Sequence, residues 1–237
     1  MPLPDLSGWT IAFDLDGTLV ETAPDLVGAL NKVLAEQGLP PVPFEEARNM
    51  VGHGAKALIE KGYAATGLPL SPDLSPVLMK RFIALYLAHI ADQSRPFEGC
   101  IEALDTLAAA GATLVVCTNK RTDLSIALLD ALDMTWRFAA VVGADAAPAP
   151  KPDARHILFG IEEADGDPDL AIMIGDSATD VDAARNAGVP VVAMSFGYTA
   201  IPARELGADV VLDHYADLPT WIGEFVRKAA AKSTIAL

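Results

Sequence analysis

Near its start the chain reads Trp9-Thr10-Ile11-Ala12-Phe13-Asp14-Leu15-Asp16-Gly17-Thr18-Leu19, an apolar run that ends in two aspartates and a glycine. Such a short apolar run is typical of a strand buried on both faces of a parallel sheet. Asp14 and Asp16 would then follow the carboxyl end of the strand, where open α/β sheets bind ligands. The alternative is an ordinary turn, because Asp and Gly are common turn residues.

Five further apolar runs, rich in β-branched residues, predict the rest of a sheet. They are Ala112 to Cys117, Ala139 to Val142, Leu170 to Ile174, Val189 to Met194 and Val210 to Leu212. Helix-like stretches alternate with them, at about 98–110, 122–133, 152–164 and 178–187. This alternation is typical of a parallel sheet that is covered on both sides. We therefore predict an α/β fold, a Rossmann-like parallel sheet flanked by helices.

Residues 20–96 interrupt the alternation with apolar residues at helical spacing. Two apolar stripes are formed by Leu26, Leu30, Val33 and Leu34, and by Leu78, Phe82, Leu85, Tyr86 and His89. We expect a helical insertion after the first strand. The predicted domains are a catalytic core of residues 1–19 and 97–237 and an inserted helical cap of residues 20–96.

The charge of the chain argues against one class of partner. Seventeen Lys and Arg against 32 Asp and Glu give a formal net charge of −15, which would repel a nucleic-acid backbone.

Every apolar run is shorter than the roughly 20 residues of a membrane-spanning helix. Cys100 and Cys117 are too few for a disulfide framework. We expect a cytoplasmic monomer or small homo-oligomer that binds neither nucleic acid nor membrane.

Further polar residues lie at predicted strand ends or beside a predicted helix. They are Asp176 and Asp180, Thr118 and Asn119, and Lys151, which precedes a proline. Asp180 lies one helical turn beyond Asp176, so it can still face the end of the strand. Asp176 also has a structural explanation, since Asp is a preferred residue at helix starts.

Together, these residue types point to phosphate chemistry. Carboxylates that meet at one sheet edge repel one another, so the cluster requires a cation. Oxygen ligands suit Mg²⁺, which proteins usually hold with one or two carboxylates and a substrate phosphate. A lysine beside such a site is best explained as a partner for phosphate oxygens.

Four segments together resemble the motifs of the haloacid dehalogenase superfamily. They are Asp14-x-Asp-Gly-Thr, the strand-final Thr118, Lys151, and Gly175-Asp-x-x-x-Asp180, in the order and approximate spacing of that superfamily. The match extends from residue 9 to about residue 213. The helical insertion resembles the superfamily's α-helical cap, and the layout is most similar to the phosphoglycolate phosphatase branch.

The resemblance implies that the aspartates carry the chemistry. Asp14 would be the nucleophile that forms an aspartyl phosphate, and Asp16 would be the general acid and base. Mg²⁺ would be held by Asp14, the backbone carbonyl of Asp16, and Asp176. Asp16 argues against dehalogenating members, which lack an acid at this position, and against phosphonate-cleaving members, which carry a small residue there.

The same resemblance assigns the remaining matched residues to the phosphoryl group. Thr118 and Asn119 would bind its oxygens, and Lys151 would neutralise the charge that builds on them. Asp180 would orient Lys151 or a metal-bound water.

The implied function is a magnesium-dependent phosphatase that hydrolyses a small phosphate monoester, with 2-phosphoglycolate as the leading candidate. Two alternatives stay open. One is a sugar-phosphate mutase of the same superfamily, and the other is a non-catalytic binding or regulatory protein that has kept the fold.

Substrate choice is expected to depend on the cap, because the core residues contact only the phosphate. Val51-Gly52-His53-Gly54 resembles the glycine-bearing cap loop of phosphoglycolate phosphatases, which would bring His53 or the nearby backbone close to the leaving group. The alternative is a plain turn before a helix. Lys120 and Arg121 would either meet a substrate carboxylate or be solvated charges at a helix start.

Overall fold

The chain folds into an α/β core with a four-helix insertion. The computed structural model describes residues 2–52 and 54–235, without the side chains of 232–235. In chain order the elements are β1 (Thr10–Phe13), β2 (Val20–Glu21), α1 (Ala23–Glu36), α2 (Phe44–Arg48), α3 (Gly54–Ala65), α4 (Ser75–Leu87), β3 (Arg95–Pro96), α5 (Cys100–Ala109), β4 (Thr113–Cys117), α6 (Thr122–Ala131), β5 (Ala140–Val142), α7 (Ala154–Glu162), β6 (Ala171–Gly175), α8 (Ala178–Ala187), β7 (Val191–Met194), β8 (Val210–Leu212) and α9 (Leu218–Ile235). Among these described helices, none has the length and apolar character needed to cross a membrane.

The main sheet has the strand order β5-β4-β1-β6-β7-β8, and all its neighbouring strands run parallel. β1 lies near the middle, where Phe13 pairs with Val116 of β4 on one side and Ile174 of β6 on the other. Residues that follow these three strands therefore meet at one edge of the sheet. The predicted α/β fold with a parallel, Rossmann-like sheet is confirmed.

The sheet is buried on both faces because its side chains alternate between two apolar clusters. Ile11 and Phe13 of β1 belong to one cluster, and Ala12 belongs to the other. The other strands and the helices that cover the two faces supply most of the remaining members of each cluster. This burial explains why the strands appear in the sequence as near-continuous apolar runs.

The four helices α1 to α4, here called the helical insertion, lie between the short strands β2 and β3, which pair antiparallel. Most of their buried apolar side chains form a third cluster, which also includes Leu124 and Tyr198 from the part of the chain that follows the insertion. The buried members of the two predicted stripes are Leu26, Leu30, Val33, Leu34, Leu78, Phe82 and Tyr86. His89, also placed in a stripe, lies in the turn after α4, where its side chain is 45% exposed and pairs with Asp92.

A buried carboxylate joins the two chain crossings between the sheet and the helical insertion. Asp25, in the first turn of α1, is only 5% exposed. Its Oδ2 accepts hydrogen bonds from the backbone N–H of Ser94 at 2.7 Å, from the Ser94 hydroxyl at 2.7 Å, and from the N–H of Gln93 at 3.0 Å. The start of α1 is thereby fixed beside the segment that returns to the sheet.

Candidate active site

The residues that the sequence selected meet at the carboxyl edge of the sheet. Asp14 and Asp16 follow β1, Thr118 and Asn119 follow β4, Asp176 follows β6, Asp180 lies in the first turn of α8, and Lys151 lies between β5 and α7. The parallel register explains the meeting, because β1, β4 and β6 end at the same level. The seven residues thus meet in one region of the fold although they come from four separate segments.

Lys151 is at the centre of the site. Its Nζ donates hydrogen bonds to Asp14 Oδ1 at 2.8 Å, to Asp180 Oδ1 at 2.6 Å and to the backbone carbonyl of Cys117 at 2.6 Å. The lysine is 4% exposed. Burial alone would lower the pKa of Lys151, but the two facing carboxylates outweigh burial and hold this pKa above its usual value. Lys151 is therefore a fixed positive charge with all three of its protons directed.

The two carboxylates that contact Lys151 differ in their proton affinity. Burial raises the pKa of Asp14 to about 6, because the negative charge loses its water and Lys151 compensates only in part. Burial acts in the same direction on Asp180, yet Lys151 and the Ser177 hydrogen bonds hold the pKa of Asp180 below its ordinary value. The buried pair thus consists of a firmly ionised Asp180 and an Asp14 whose negative charge is costly.

Asp180 also closes the first turn of α8. Its Oδ2 accepts hydrogen bonds from the Ser177 hydroxyl at 2.7 Å and from the backbone N–H of Ser177 at 3.0 Å. Its other oxygen contacts Lys151. The helix-start role and the active-site position, which the sequence left as alternatives for this segment, are combined in one side chain.

Asp176 is held from two directions. The Thr18 hydroxyl donates to its Oδ1 at 2.9 Å, and the backbone N–H of Tyr198 donates to its Oδ2 at 2.5 Å. Burial, together with the nearby Asp180 and Asp14, raises the pKa of Asp176 well above its ordinary value. The carboxylate is therefore held in one position. Its burial and its acidic neighbours favour the binding of a cation or a proton.

Gly17 is required by the close approach of these segments. Its φ is +91°, in the region that favours glycine, and a Cβ there would come within 2.7 Å of Asp176 Oδ2. The glycine of the Asp-x-Asp-Gly motif thus makes room for a carboxylate from a different strand.

Asp16 is paired with a lysine that the sequence left ambiguous. Lys120 Nζ lies 3.0 Å from each carboxylate oxygen of Asp16 and 4.5 Å from the centroid of the Tyr86 ring. The Lys120 side chain is only 5% exposed, so the alternative of a solvated charge is wrong for this residue. Tyr86, on α4, covers it. Arg121, by contrast, has a 52% exposed side chain that pairs with Asp123.

The polar residues after β4 contact the site in different ways. Thr118 is 2% exposed, and its Oγ1 accepts a hydrogen bond from the backbone N–H of Lys120 at 3.2 Å. The Asn119 side chain binds the backbone of Lys151, since Nδ2 donates to the Lys151 carbonyl and Oδ1 accepts from its N–H, both at 2.9 Å. In this arrangement both polar atoms of the Asn119 amide are bonded to the backbone of Lys151.

Three of the buried carboxylates could hold a metal ion. Oxygen atoms of Asp14, Asp176 and Asp180 lie within 4.8 Å of one another. Four aspartates and two lysines at this edge leave a formal excess of two negative charges, before any bound ion or ligand. Hard oxygen donors and this excess charge suit a hard divalent cation such as Mg²⁺, so the residues present fit the predicted ion.

A cavity of about 200 Å³ connects this edge with the helical insertion. Asp14, Asp16, Thr118 and Lys151 line one side. The insertion contributes Lys56 and a set of apolar side chains. The members of this set are Leu26, Val51, Leu58, Met79, Phe82 and Tyr86.

The glycine-bearing loop of the insertion also borders the cavity. Val51, Gly52 and Gly54 line it, and α3 begins at Gly54. His53 lies outside the described residues, so its predicted place near the leaving group stays a prediction.

A parallel sheet with aspartates and a buried lysine at its carboxyl edge, facing an inserted helical unit across a cavity, defines a Rossmann-like α/β protein with an inserted helical unit. The family model of haloacid dehalogenase-like hydrolases matches residues 11–194. The chain belongs to this family, which confirms the resemblance seen in the four motifs.

Known relatives cover nearly the whole chain. It is 58% identical over 217 residues to a phosphoglycolate phosphatase of Caulobacter vibrioides, covering 92% of each chain. It is 49% identical to a phosphoglycolate phosphatase of Agrobacterium fabrum, covering 92% of this chain and 94% of the relative. The crystal structure of a predicted phosphoglycolate phosphatase from Haemophilus somnus superimposes with a TM-score of 0.84 at 28% identity, covering 92% of this chain and 98% of that one.

Two contacting residues were missed by the sequence analysis. Thr18 was quoted within the Asp-x-Asp-Gly-Thr motif without a role, although its hydroxyl binds Asp176. Tyr198 lies in the loop after β7 and had no local signal, because its contact with Asp176 arises only when the two neighbouring strands pair.

Proposed function

We propose that this protein is a magnesium-dependent phosphatase that hydrolyses a small phosphate monoester, with 2-phosphoglycolate as its substrate, through an aspartyl phosphate on Asp14. The observation that carries the proposal is the Asp14–Lys151–Asp180 arrangement within an acidic cluster at the carboxyl edge of the sheet. Membership in the hydrolase family and the names of the two bacterial relatives support it.

The first half-reaction transfers the phosphoryl group to Asp14. A carboxylate oxygen of Asp14 attacks phosphorus while the bond between phosphorus and the leaving oxygen breaks, and Asp16 gives the leaving oxygen its proton. Lys151 holds Oδ1 of Asp14 at 2.8 Å, which orients the carboxylate. Bound Mg²⁺, for which Asp14, Asp176 and the backbone carbonyl of Asp16 are the proposed ligands, would screen the repulsion between the anionic nucleophile and the anionic phosphate.

The second half-reaction releases phosphate. A water molecule attacks phosphorus, Asp16 accepts the proton from that water, and the bond to Asp14 breaks. Two carboxylates are needed because one is occupied by the phosphoryl group while the other moves the proton. Thr118 and Lys151 are proposed to hold the phosphoryl oxygens through both steps.

Asn119 is proposed to act mainly by positioning Lys151, since its amide group brackets the Lys151 backbone with two hydrogen bonds of 2.9 Å. Any contribution of Asn119 to phosphoryl binding would come from its backbone. Asp180 is proposed to orient Lys151, which it contacts at 2.6 Å, in keeping with the way residues behind a site fix the groups that perform the chemistry.

The proposed division is a catalytic core of residues 1–19 and 97–237 and a cap of residues 20–96. Most buried members of the third apolar cluster belong to the helical insertion, and a cavity lies between the insertion and the sheet edge. Both observations support this division. We propose that the cap moves about the crossings at 19–22 and 94–98, admitting substrate and then excluding water. Cytoplasmic location, oligomeric state and the absence of nucleic-acid binding stay predictions of the sequence.

The volume of the cavity favours a small substrate, and a second buried lysine favours a substrate with a second negative group. Its volume of about 200 Å³ is below the roughly 300–1,000 Å³ of common ligand pockets. Lys120, buried beside Asp16, lines the same cavity and provides a second lysine near the proposed phosphate site. We propose that Lys120 binds the carboxylate of 2-phosphoglycolate. A phosphate ester of an uncharged alcohol lacks this carboxylate.

The test is phosphate release from 2-phosphoglycolate, ethyl phosphate, hexose phosphates and p-nitrophenyl phosphate, each with Mg²⁺ and with EDTA. The proposal expects Mg²⁺-dependent hydrolysis with a preference for 2-phosphoglycolate that falls sharply in Lys120→Met. Lys56→Met, which alters a cavity lysine with a 68% exposed side chain, is the matched control. Isomerisation of a hexose phosphate faster than phosphate release would favour the mutase, and no reaction with any ester would favour the binding protein.

A further inference from the structure

Tyr198 contacts both carboxylate-bearing segments of the site. Its backbone N–H donates to Asp176 Oδ2 at 2.5 Å. Its ring packs over Gly17, where a Cβ would lie 2.8 Å from the ring atom Cδ2. The residue is 2% exposed. It therefore touches the turn that carries Asp16 and the strand end that carries Asp176.

The hydroxyl of the same tyrosine reaches the crossing into the helical insertion. It accepts hydrogen bonds from the backbone N–H groups of Thr22 at 2.8 Å and Ala23 at 2.9 Å, and it donates to Glu21 Oε1 at 2.7 Å. Thr22 and Ala23 form the start of α1, whose first N–H groups have no partner within the helix. The side chain of Tyr198 thus spans from the carboxylates to the point where the chain leaves the sheet.

Arg48 fastens the other end of this loop to the helical insertion. It is the last residue of α2, and its guanidinium donates to the carbonyls of Phe196 at 2.9 Å and Gly197 at 3.2 Å. The guanidinium also lies 4.8 Å from the centroid of the Tyr198 ring. The backbone on one side of Tyr198 and the face of its ring are both held by the insertion.

The loop of residues 196–198 packs tightly against Asp176. A Cβ on Gly197 would overlap the Asp176 side chain, and a Cβ on Gly17 would come within 2.7 Å of its Oδ2. Packed interiors transmit displacements because few voids exist to absorb them. A shift of residues 196–198 must therefore shift the Asp176 carboxylate.

We propose that Tyr198 is a positioning residue that couples the seating of the helical insertion, through Arg48 and the start of α1, to the placement of Asp176 and hence to Mg²⁺ affinity. The proposal rests on the proposed function in one respect, that Asp176 is a Mg²⁺ ligand. By linkage, Mg²⁺ binding also favours the seated arrangement of the insertion by the same free energy.

The first experiment measures Mg²⁺ binding to the substrate-free protein by isothermal titration calorimetry. Tyr198→Phe removes the hydroxyl and leaves the backbone N–H that contacts Asp176. We expect its Kd for Mg²⁺ to rise several-fold, below the roughly 10–100-fold effect of removing a ligand's own hydrogen-bond partner, because the hydroxyl acts on Asp176 only through the loop. We also expect saturating Mg²⁺ to restore most of kcat, because the loss lies in metal affinity. An unchanged Kd would overturn the proposal.

Tyr63→Phe is the matched control for this substitution. Tyr63 is buried in the helical insertion, and in the described part of the chain its hydroxyl has no hydrogen-bond partner. The control should bind Mg²⁺ within about a factor of two of the wild type, the range of substitutions that remove no contact. A several-fold loss in Tyr63→Phe as well would overturn the proposal, since general loosening of the insertion would then explain the effect.

A double-mutant cycle tests the coupling to the insertion. Arg48→Met is expected to raise the Kd several-fold, and Arg81→Met, which removes an exposed ion pair with Glu36 on the same insertion, is its control. Combined with Tyr198→Phe, Arg48→Met should add less than its separate effect, because the two residues hold one loop. Fully additive losses would contradict a shared path.

Asp176→Asn separates this proposal from the proposed function. If that variant binds Mg²⁺ as the wild type does, Asp176 is not a ligand and the assignment of the metal site fails. If Asp176→Asn abolishes binding while Tyr198→Phe leaves it unchanged, the metal site stands and the coupling fails. Binding is measured without substrate, so neither outcome depends on turnover.

Discussion

Replacing Asp14 with Asn should stabilise the metal-free protein while abolishing its activity. Burial raises the pKa of Asp14 from 3.8 to about 6, which means that the folded state resists ionisation of this group more than the unfolded state does. Stability is therefore lost as the pH rises from the unfolded value through about 6. An amide carries no charge and escapes this cost, but it cannot act as the nucleophile.

The magnitude follows from the size of the shift. A rise from 3.8 to about 6, at about 1.4 kcal/mol for each pKa unit, corresponds to about 3 kcal/mol at about pH 7.5 and roughly half of that at about pH 5. Lys151 stays satisfied in the variant because it keeps Asp180 at 2.6 Å and the Cys117 carbonyl. We expect a gain of up to about 3 kcal/mol that shrinks as the pH falls.

Urea unfolding in EDTA at the two pH values, for the wild type and Asp14→Asn, measures this difference. Adding Mg²⁺ should stabilise the wild type more than the variant, since binding to the folded state adds stability according to affinity. A variant that is less stable than the wild type at the higher pH, or a difference that does not change with pH, would refute the argument that a buried charge on Asp14 is costly.

Three other changes have defined outcomes. Lys151→Met should destabilise the metal-free protein by about 3–5 kcal/mol in urea unfolding and abolish turnover, because it leaves buried carboxylates uncompensated; a loss below about 1 kcal/mol would contradict this. Gly197→Ala should cost about 1–3 kcal/mol by overpacking against Asp176 and weaken Mg²⁺ binding in calorimetry, whereas wild-type affinity would count against the close contact. Asp25→Ala should cost about 1–3 kcal/mol in the same unfolding assay, because Ser94 and Gln93 lose their buried acceptor; an unchanged midpoint would show that the crossing does not need it.

The parts of the site that the sequence predicted correctly depend on local patterns. An apolar run followed by Asp14, and a second followed by Asp176, place both carboxylates at strand ends, and parallel pairing brings those ends together. The helical stripe of α1 was equally local, and its four residues are buried as expected. Such features need only the periods of a strand and a helix.

The features that the sequence did not predict depend on contacts between distant segments. The sequence allowed Lys120 to be either a solvated charge or a site residue. Its burial depends on Tyr86 of the insertion, whose ring lies against the Lys120 side chain. Asn119 carries a side chain suited to phosphate, yet the loop bearing Lys151 occupies both of its polar atoms. Tyr198 offers no motif, because its role arises from the loop that places it beside Asp176.

Detection of the covalent intermediate tests the central claim most directly. The protein is mixed with 2-phosphoglycolate and Mg²⁺, quenched in acid and treated with borohydride, which reduces an acyl phosphate to an alcohol and converts an aspartate to homoserine. Mass spectrometry of the peptide that spans Asp14 and Asp16 should locate the change at Asp14, and the change should be lost in EDTA. Homoserine at another aspartate, or its absence while phosphate is being released, would contradict the assignment of Asp14 as the nucleophile.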